Sequence, residues 1–100
     1  MMPYTVSYSE EAVADFDSIL HFIAHDNPLR ALSFVDEIRQ KAEEALELFP
    51  NTGRRISSAR MLSFGNYIIL YRVDDAAKTV TVIMVTEGHR DWQELLEDQI

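Results

Sequence analysis

The stretch 59-ARMLSFGNYIILYRVDD-75 decides the fold. Gly65-Asn66 interrupts an apolar run there, and glycine supplies the positive φ that the first position of a two-residue hairpin turn needs. Arg60 to Phe64 reads as one strand and Tyr67 to Val73 as the next. The second strand is apolar in both alternating phases, with Tyr67, Ile69, Tyr71 and Val73 set against Ile68, Leu70 and Arg72. That pattern suits a central strand. Asp74 to Lys78 is a polar turn, and 79-TVTVIMVT-86 is another β-branched strand. Strands joined by such short turns pair antiparallel.

Upstream, the period changes from two to 3.6. Pro3 to Ser7 alternates as a short strand. Ser9 before Glu10-Glu11 is a hydroxyl cap followed by acids in a first helical turn, where free N–H groups favour oxygen and negative charge. Val13, Phe16, Ile19, Leu20 and Ile23 then form one apolar stripe. Asn27-Pro28 ends that helix and starts another, because proline disfavours helix at the preceding residue and suits a first helical position. Ala31, Phe34, Val35, Ile38, Ala42, Ala45, Leu46 and Phe49 continue at helical spacing until Pro50-Asn51-Thr52-Gly53. The expected architecture is α+β, in the order β-α-α-β-β-β. An antiparallel helical hairpin packs on one face of a small, mainly antiparallel sheet of three or four strands, and residues 1–100 form a single domain.

The chain has no cysteine, which excludes disulfides, thiolate metal sites and a cysteine nucleophile. Its net charge is −8, but unevenly spread: residues 9–49 hold ten acids and three bases, whereas residues 50–92 hold six bases and four acids. Such a chain repels polyphosphate, so direct nucleic-acid binding is not expected. The middle segment is where a negative partner would be drawn. No basic segment leads into an apolar run at the N-terminus, and no apolar run nears ~18 residues, so neither a secretion signal nor a membrane span is expected. A cytoplasmic location agrees with both.

The ordered set of short motifs resembles the RelE/ParE toxin superfamily, on its ParE-like, plasmid-stabilisation branch. It comprises Tyr4, Glu11-Ala12, Asp15, Asp26-Asn27-Pro28-Leu29-Arg30-Ala31, Leu48-Phe49-Pro50, Gly53-Arg54, the run from Arg60 to Val73, and Gly88-His89-Arg90-Asp91-Trp92. The resemblance implies a toxin of a type II toxin–antitoxin module that poisons DNA gyrase by binding rather than by catalysis. It also implies a ParD-like antitoxin, a ribbon-helix-helix dimer whose amphipathic C-terminal tail wraps the toxin. No cofactor is expected. The family's other branch implies a ribosome-dependent mRNA endonuclease, for which Arg60, Arg72 and His89 would be the catalytic groups. A third expectation is a member that binds its antitoxin without being toxic. Glu87 and His89 depart from the family's usual His-Gly-Arg close and bear on that question.

Candidate contact residues follow. Arg60 and Arg72 offer cations to a target or an acidic tail, or else pair internally with Glu87 or Asp91. His89, Arg90 and Trp92 stand at the C-terminal close. His89 also reads as a solvated residue after a glycine, and Trp92 as a lid packed on the sheet end. Leu62, Phe64, Met84 and Val85 are the expected apolar docking residues. The reason is that one helical hairpin covers one sheet face, while strands 67–73 and 79–86 are apolar on both. A partner helix or an added strand would suit the uncovered face. The competing reading has Trp92 to Leu96 folding back over part of it. His21 and His25 have metal-ligand spacing but read as solvated helix residues, so no metal site is assigned.

Overall fold

The computed structural model describes residues 3–88. Strand β1 (Thr5–Tyr8) leads into helix α1 (Glu10–Asp26) and helix α2 (Pro28–Leu48). Strands β2 (Arg54–Ile56), β3 (Ala59–Phe64), β4 (Tyr67–Asp74) and β5 (Thr79–Glu87) follow. They form one five-stranded sheet in the order β1-β5-β4-β3-β2. The α+β architecture is as expected, with five strands in place of three or four. The additional strand is β2, three residues that hairpin onto β3. β1 runs parallel to β5, and every other pairing is antiparallel.

Both helices are capped as their sequences direct. The Ser9 Oγ accepts the Ala12 N–H at 3.1 Å, and the Asn27 side chain accepts the Arg30 N–H at 3.1 Å, with Pro28 in the first turn of α2. Gly65 has φ 62°, and Phe64 faces Tyr67 across the two-residue turn, which sets the whole β3–β4 register.

The main core lies between the hairpin and one sheet face. Ala12, Phe16 and Ile19 of α1 and Val35, Ile38, Ala42 and Leu46 of α2 pack there on Tyr67, Ile69, Tyr71, Val80, Val82 and Val85. The stripe on α1 is as expected at Phe16, Ile19, Leu20 and Ile23, but it begins at Ala12 rather than Val13. Ala12 is buried, whereas Val13 is 51% exposed, and Phe49 beyond α2 is also exposed.

Strict alternation does not hold along β5. Leu70 faces Met84 but Tyr71 faces Val82, so Ile83 is an extra residue in a bulge. The phase of β5 flips there. Val80, Val82 and Val85 join the helix-side core, while Ile83 and Met84 share the opposite face. The N-cap of α1 and one residue within α1 bond to β5 at the bulge and just past it. The Ser9 hydroxyl donates to the Ile83 carbonyl at 3.3 Å, and the Asp15 carboxylate accepts the Val85 N–H at 2.9 Å.

The bare apolar face expected opposite the helices is corrected as well. Leu70 is 0% and Met84 3% exposed, and Ile68 and Ile83 are buried with them. They pack with Ala59, Ile56 and Met61 into a second small core that includes no described helix residue. Trp92 to Leu96, the alternative cover, lies outside the described residues.

Candidate functional site

The helices pack chiefly on β5 and β1, with Phe34 of α2 reaching the Tyr67 ring at 5.4 Å. β3 therefore emerges beyond the hairpin. Arg60, Leu62 and Phe64 alternate along it and share the helix-side face, because they stand opposite Tyr71, Ile69 and Tyr67. All three are half-exposed. They form a strip with a guanidinium at one end and an aromatic ring at the other.

The other expected contact residues are elsewhere. Val85 belongs to the same face as Leu62 and Phe64, in register with Ile69, but it is buried under α1. Met84 is on the opposite face, in the second core. The four expected apolar docking residues thus do not share one surface, because Met84 and Val85 are consecutive on β5 and consecutive strand side chains point to opposite faces. Arg72 is exposed and faces Thr81, on the side away from Arg60. Arg60 and Arg72 therefore do not converge on a single phosphate group. His89, Arg90 and Trp92 lie outside the described residues.

The expected internal pairing of Arg60 with an acid is not seen among the described residues. Its Nη1 donates to the carbonyl oxygens of Gly53 (2.9 Å) and Asn51 (3.2 Å) instead. Arg55 stands directly opposite it on β2. An ion pair that the described residues do show, Arg30–Glu37 at 3.0 Å, belongs to the surface of α2. That pairing holds the Glu37 carboxyl below its ordinary range through a charge-assisted hydrogen bond.

The tyrosines of the sheet are all shifted upward. Burial raises Tyr67, and the charge of Glu87 adds to it. Burial raises Tyr71, opposed by the Gly53 N–H and the nearby Arg60. A buried neutral phenol such as Tyr71 is a hydrogen-bonding strut, not a base at neutral pH. His21 hydrogen-bonds through Nδ1 to the Asp17 carbonyl at 2.7 Å, and among the described residues no three metal-ligating side chains converge.

Sequence reasoning overlooked the exposed apolar groups of the hairpin, Phe22 at 71% and Leu29 at 86%, together with Leu32. Phe22 borders a cleft of about 270 Å³ with Asp15, Ser18, Ile19, Tyr67 and Val85, beside the β3 strip. Phe22 lies three residues from Ile19 and one from Ile23, so the spacing alone left it at the margin of the stripe. It also overlooked Arg55, for which the doublet Arg54-Arg55 was the available signal.

The family model of the ParE toxin of the type II toxin–antitoxin system parDE matches residues 6–92. Among solved structures, the chain is similar to the chromosomal ParDE system of P. aeruginosa. The identity is 21% and the TM-score 0.70, over 84% of this chain and 95% of that one. It is similar to the RelBE2 toxin–antitoxin complex of Mycobacterium tuberculosis, at 26% identity and TM-score 0.65, over 90% and 97%. It also resembles the free E. coli toxin RelE, at 18% identity and TM-score 0.65, over 99% and 100%. A comparison with curated proteins returns no match. Among the described residues no helix is long and apolar enough to cross a membrane. The family match spans most of the sequence, and the sheet and hairpin are those of solved toxins of this superfamily: the chain belongs to the ParE toxin family of type II toxin–antitoxin systems.

Proposed function

We propose that this toxin acts by binding, poisons DNA gyrase, and is neutralised by a ParD-type antitoxin docked along β3. The observation that carries the docking part is the strip Arg60–Leu62–Phe64. It is a row of half-exposed side chains on one strand, extending beyond the cover of the hairpin. An amphipathic antitoxin segment laid along it would bury Leu62 and Phe64 and bring a carboxylate to Arg60. Burying the half of these two side chains that is still exposed is worth roughly 1.5–3 kcal/mol, a useful part of a tight complex. Arg72, on the far side of the sheet, is left to the target, together with His89, Arg90 and Trp92. Met84 and Val85 act in this scheme as buried supports of the surface rather than as contacts.

The target assignment rests on the ParE family and on the separation of Arg60 from Arg72, which denies the RelE-type reading two of its three catalytic groups at one phosphate. Expression of the chain without its antitoxin tests it. Filamentation with DNA-damage signalling, and loss of supercoiling by purified gyrase, is the expected result. Arrested translation with cleaved mRNA would replace gyrase with the ribosome, and normal growth would leave only antitoxin binding. Leu62→Asp and Phe64→Asp are expected to abolish neutralisation. A complex unaffected by both would refute docking along β3.

A further inference from the structure

Arg60 and Arg55 face each other directly on β3 and β2, an arrangement in which like charges repel. The chain has seventeen acids, yet among the described residues neither guanidinium is in an ion pair. Arg60 is held by backbone instead, through the two carbonyl oxygens on its Nη1. Carbonyls fix the direction of a guanidinium without neutralising it. They leave the Nε–Nη2 edge, which grips a carboxylate in bidentate fashion, without a partner among the described residues.

Those carbonyls are themselves pinned. Tyr71 stands opposite Arg60 on β4, is fully buried, and its phenol oxygen accepts the Gly53 N–H at 2.9 Å. The approach is close: a Cβ at residue 53 would lie 2.5 Å from that oxygen and 2.7 Å from the Met61 carbonyl. The turn can settle onto Tyr71 because residue 53 has no side chain.

We infer that Tyr71 and Gly53 are positioning residues for Arg60. The buried phenol pins the turn, the carbonyls of Asn51 and Gly53 aim the guanidinium, and its outward edge, beside Arg55, takes a carboxylate side chain of the partner polypeptide. This rests on the docking reading above and adds how the charge is aimed. A carboxylate on a peptide fits better than a nucleic-acid backbone. The ten acids of residues 9–49 repel an extended polyanion, and Leu62 and Phe64 continue the same face with apolar surface. A fork fixed in advance also loses less side-chain freedom on binding.

Arginine-labelled full-length protein tests this by NMR, with Arg60→Lys used to assign the Arg60 guanidinium signals. The probes are a tetra-aspartate peptide and a single-stranded oligonucleotide of equal charge. In the unmodified chain, rotation about the Arg60 Cζ–Nη1 bond is expected to be slowed, and the peptide to shift the Arg60 Nε–H saturably. Tyr71→Phe is expected to restore fast rotation and weaken the peptide about five-fold, the loss expected from freeing one side chain. Gly53→Ala, which displaces the turn by another route, should do the same, with amide spectra confirming that both variants are folded. Three results would overturn the inference: unchanged rotation and affinity in folded Tyr71→Phe, no response of Arg60 to the peptide, or a response to the oligonucleotide alone. Failure of Arg60→Ala to be neutralised by antitoxin, with Tyr71→Phe behaving like the unmodified chain, would remove the pinning device and leave the docking reading standing.

Discussion

Replacing Asp15 by alanine tests whether the β5 bulge is built by α1. Val85 lies just past the bulge and beyond the last residue that β1 pairs with, and its N–H goes to Asp15 Oδ2 at 2.9 Å. Val85 is 3% exposed, so water does not readily replace the carboxylate. A hydrogen bond to a charged group contributes about 1.5–3 kcal/mol, and a stranded buried N–H costs about 1–3 kcal/mol. These overlap, so about 3 kcal/mol is the expected loss for Asp15→Ala. For a domain of this length each kcal/mol moves Tm by roughly 4–8 °C, which places the drop at about 12–24 °C. Asp15→Asn keeps an acceptor oxygen but loses the charge, and should cost about 1 kcal/mol through this contact. Calorimetry gives the Tm. Native-state hydrogen exchange gives the local answer, since the Val85 amide should lose protection ahead of its neighbours in Asp15→Ala. A variant within about 2 °C of the unmodified chain, with Val85 exchanging as slowly as before, would refute the idea that α1 supports the bulge.

Gly53→Ala should destabilise by about 2–4 kcal/mol, read as a shift of the urea midpoint at constant m-value, because its Cβ would meet the Tyr71 oxygen at 2.5 Å and the Met61 carbonyl at 2.7 Å. Tyr8 is pushed up to about 12 from 10.0, first by burial and then by its hydrogen bond to Glu43. The folded chain therefore keeps a proton that the unfolded chain releases. Its contribution is complete below pH 10 and is lost as pH rises towards about 12. Tyr8→Phe should flatten that alkaline limb in urea titrations between those values, and an unchanged slope would count against it. Glu37→Ala, which breaks the exposed Arg30–Glu37 pair, should leave the thermal midpoint unchanged within error, since solvent screens such pairs.

The parts of this fold that were legible in sequence are those fixed by local chemistry. Asn27-Pro28 can cap and restart a helix, and Gly65 can take positive φ, so both corners were readable. The Gly65-Asn66 turn also carried more information than its immediate residues suggest. It pairs Phe64 with Tyr67, and counting back pairs Arg60 with Tyr71, which already puts Arg60 and Arg72 on opposite faces. The bulge was not legible, for a physical reason. In TVTVIMVT the residues of both phases are apolar or β-branched, so slipping the phase at Ile83 exposes nothing costly and leaves no mark in the pattern. β2 was hidden differently. A strand of three residues containing two arginines has no periodicity to detect, and it exists because Ile56 pairs with Ala59 and packs on the second core.

The charge distribution and the apolar strip place complementary constraints on a partner. Arg54, Arg55 and Arg60 gather on the β2–β3 hairpin at one edge of the sheet, while the helical segment 9–49 carries ten acids. At physiological ionic strength the screening length is about 8 Å, so a partner carboxylate senses the edge it approaches rather than the net charge of −8. An acidic segment approaching α1 and α2 is repelled, and one approaching β3 is drawn in. Arginine contacts of this kind fix orientation and encounter rate more than affinity. Affinity must then come from Leu62 and Phe64, which continue the line from Arg60 along the same strand face. The division of labour has a measurable consequence. Raising salt should slow association with little effect on dissociation, whereas Leu62→Ala should speed dissociation and leave the salt dependence of association as it was.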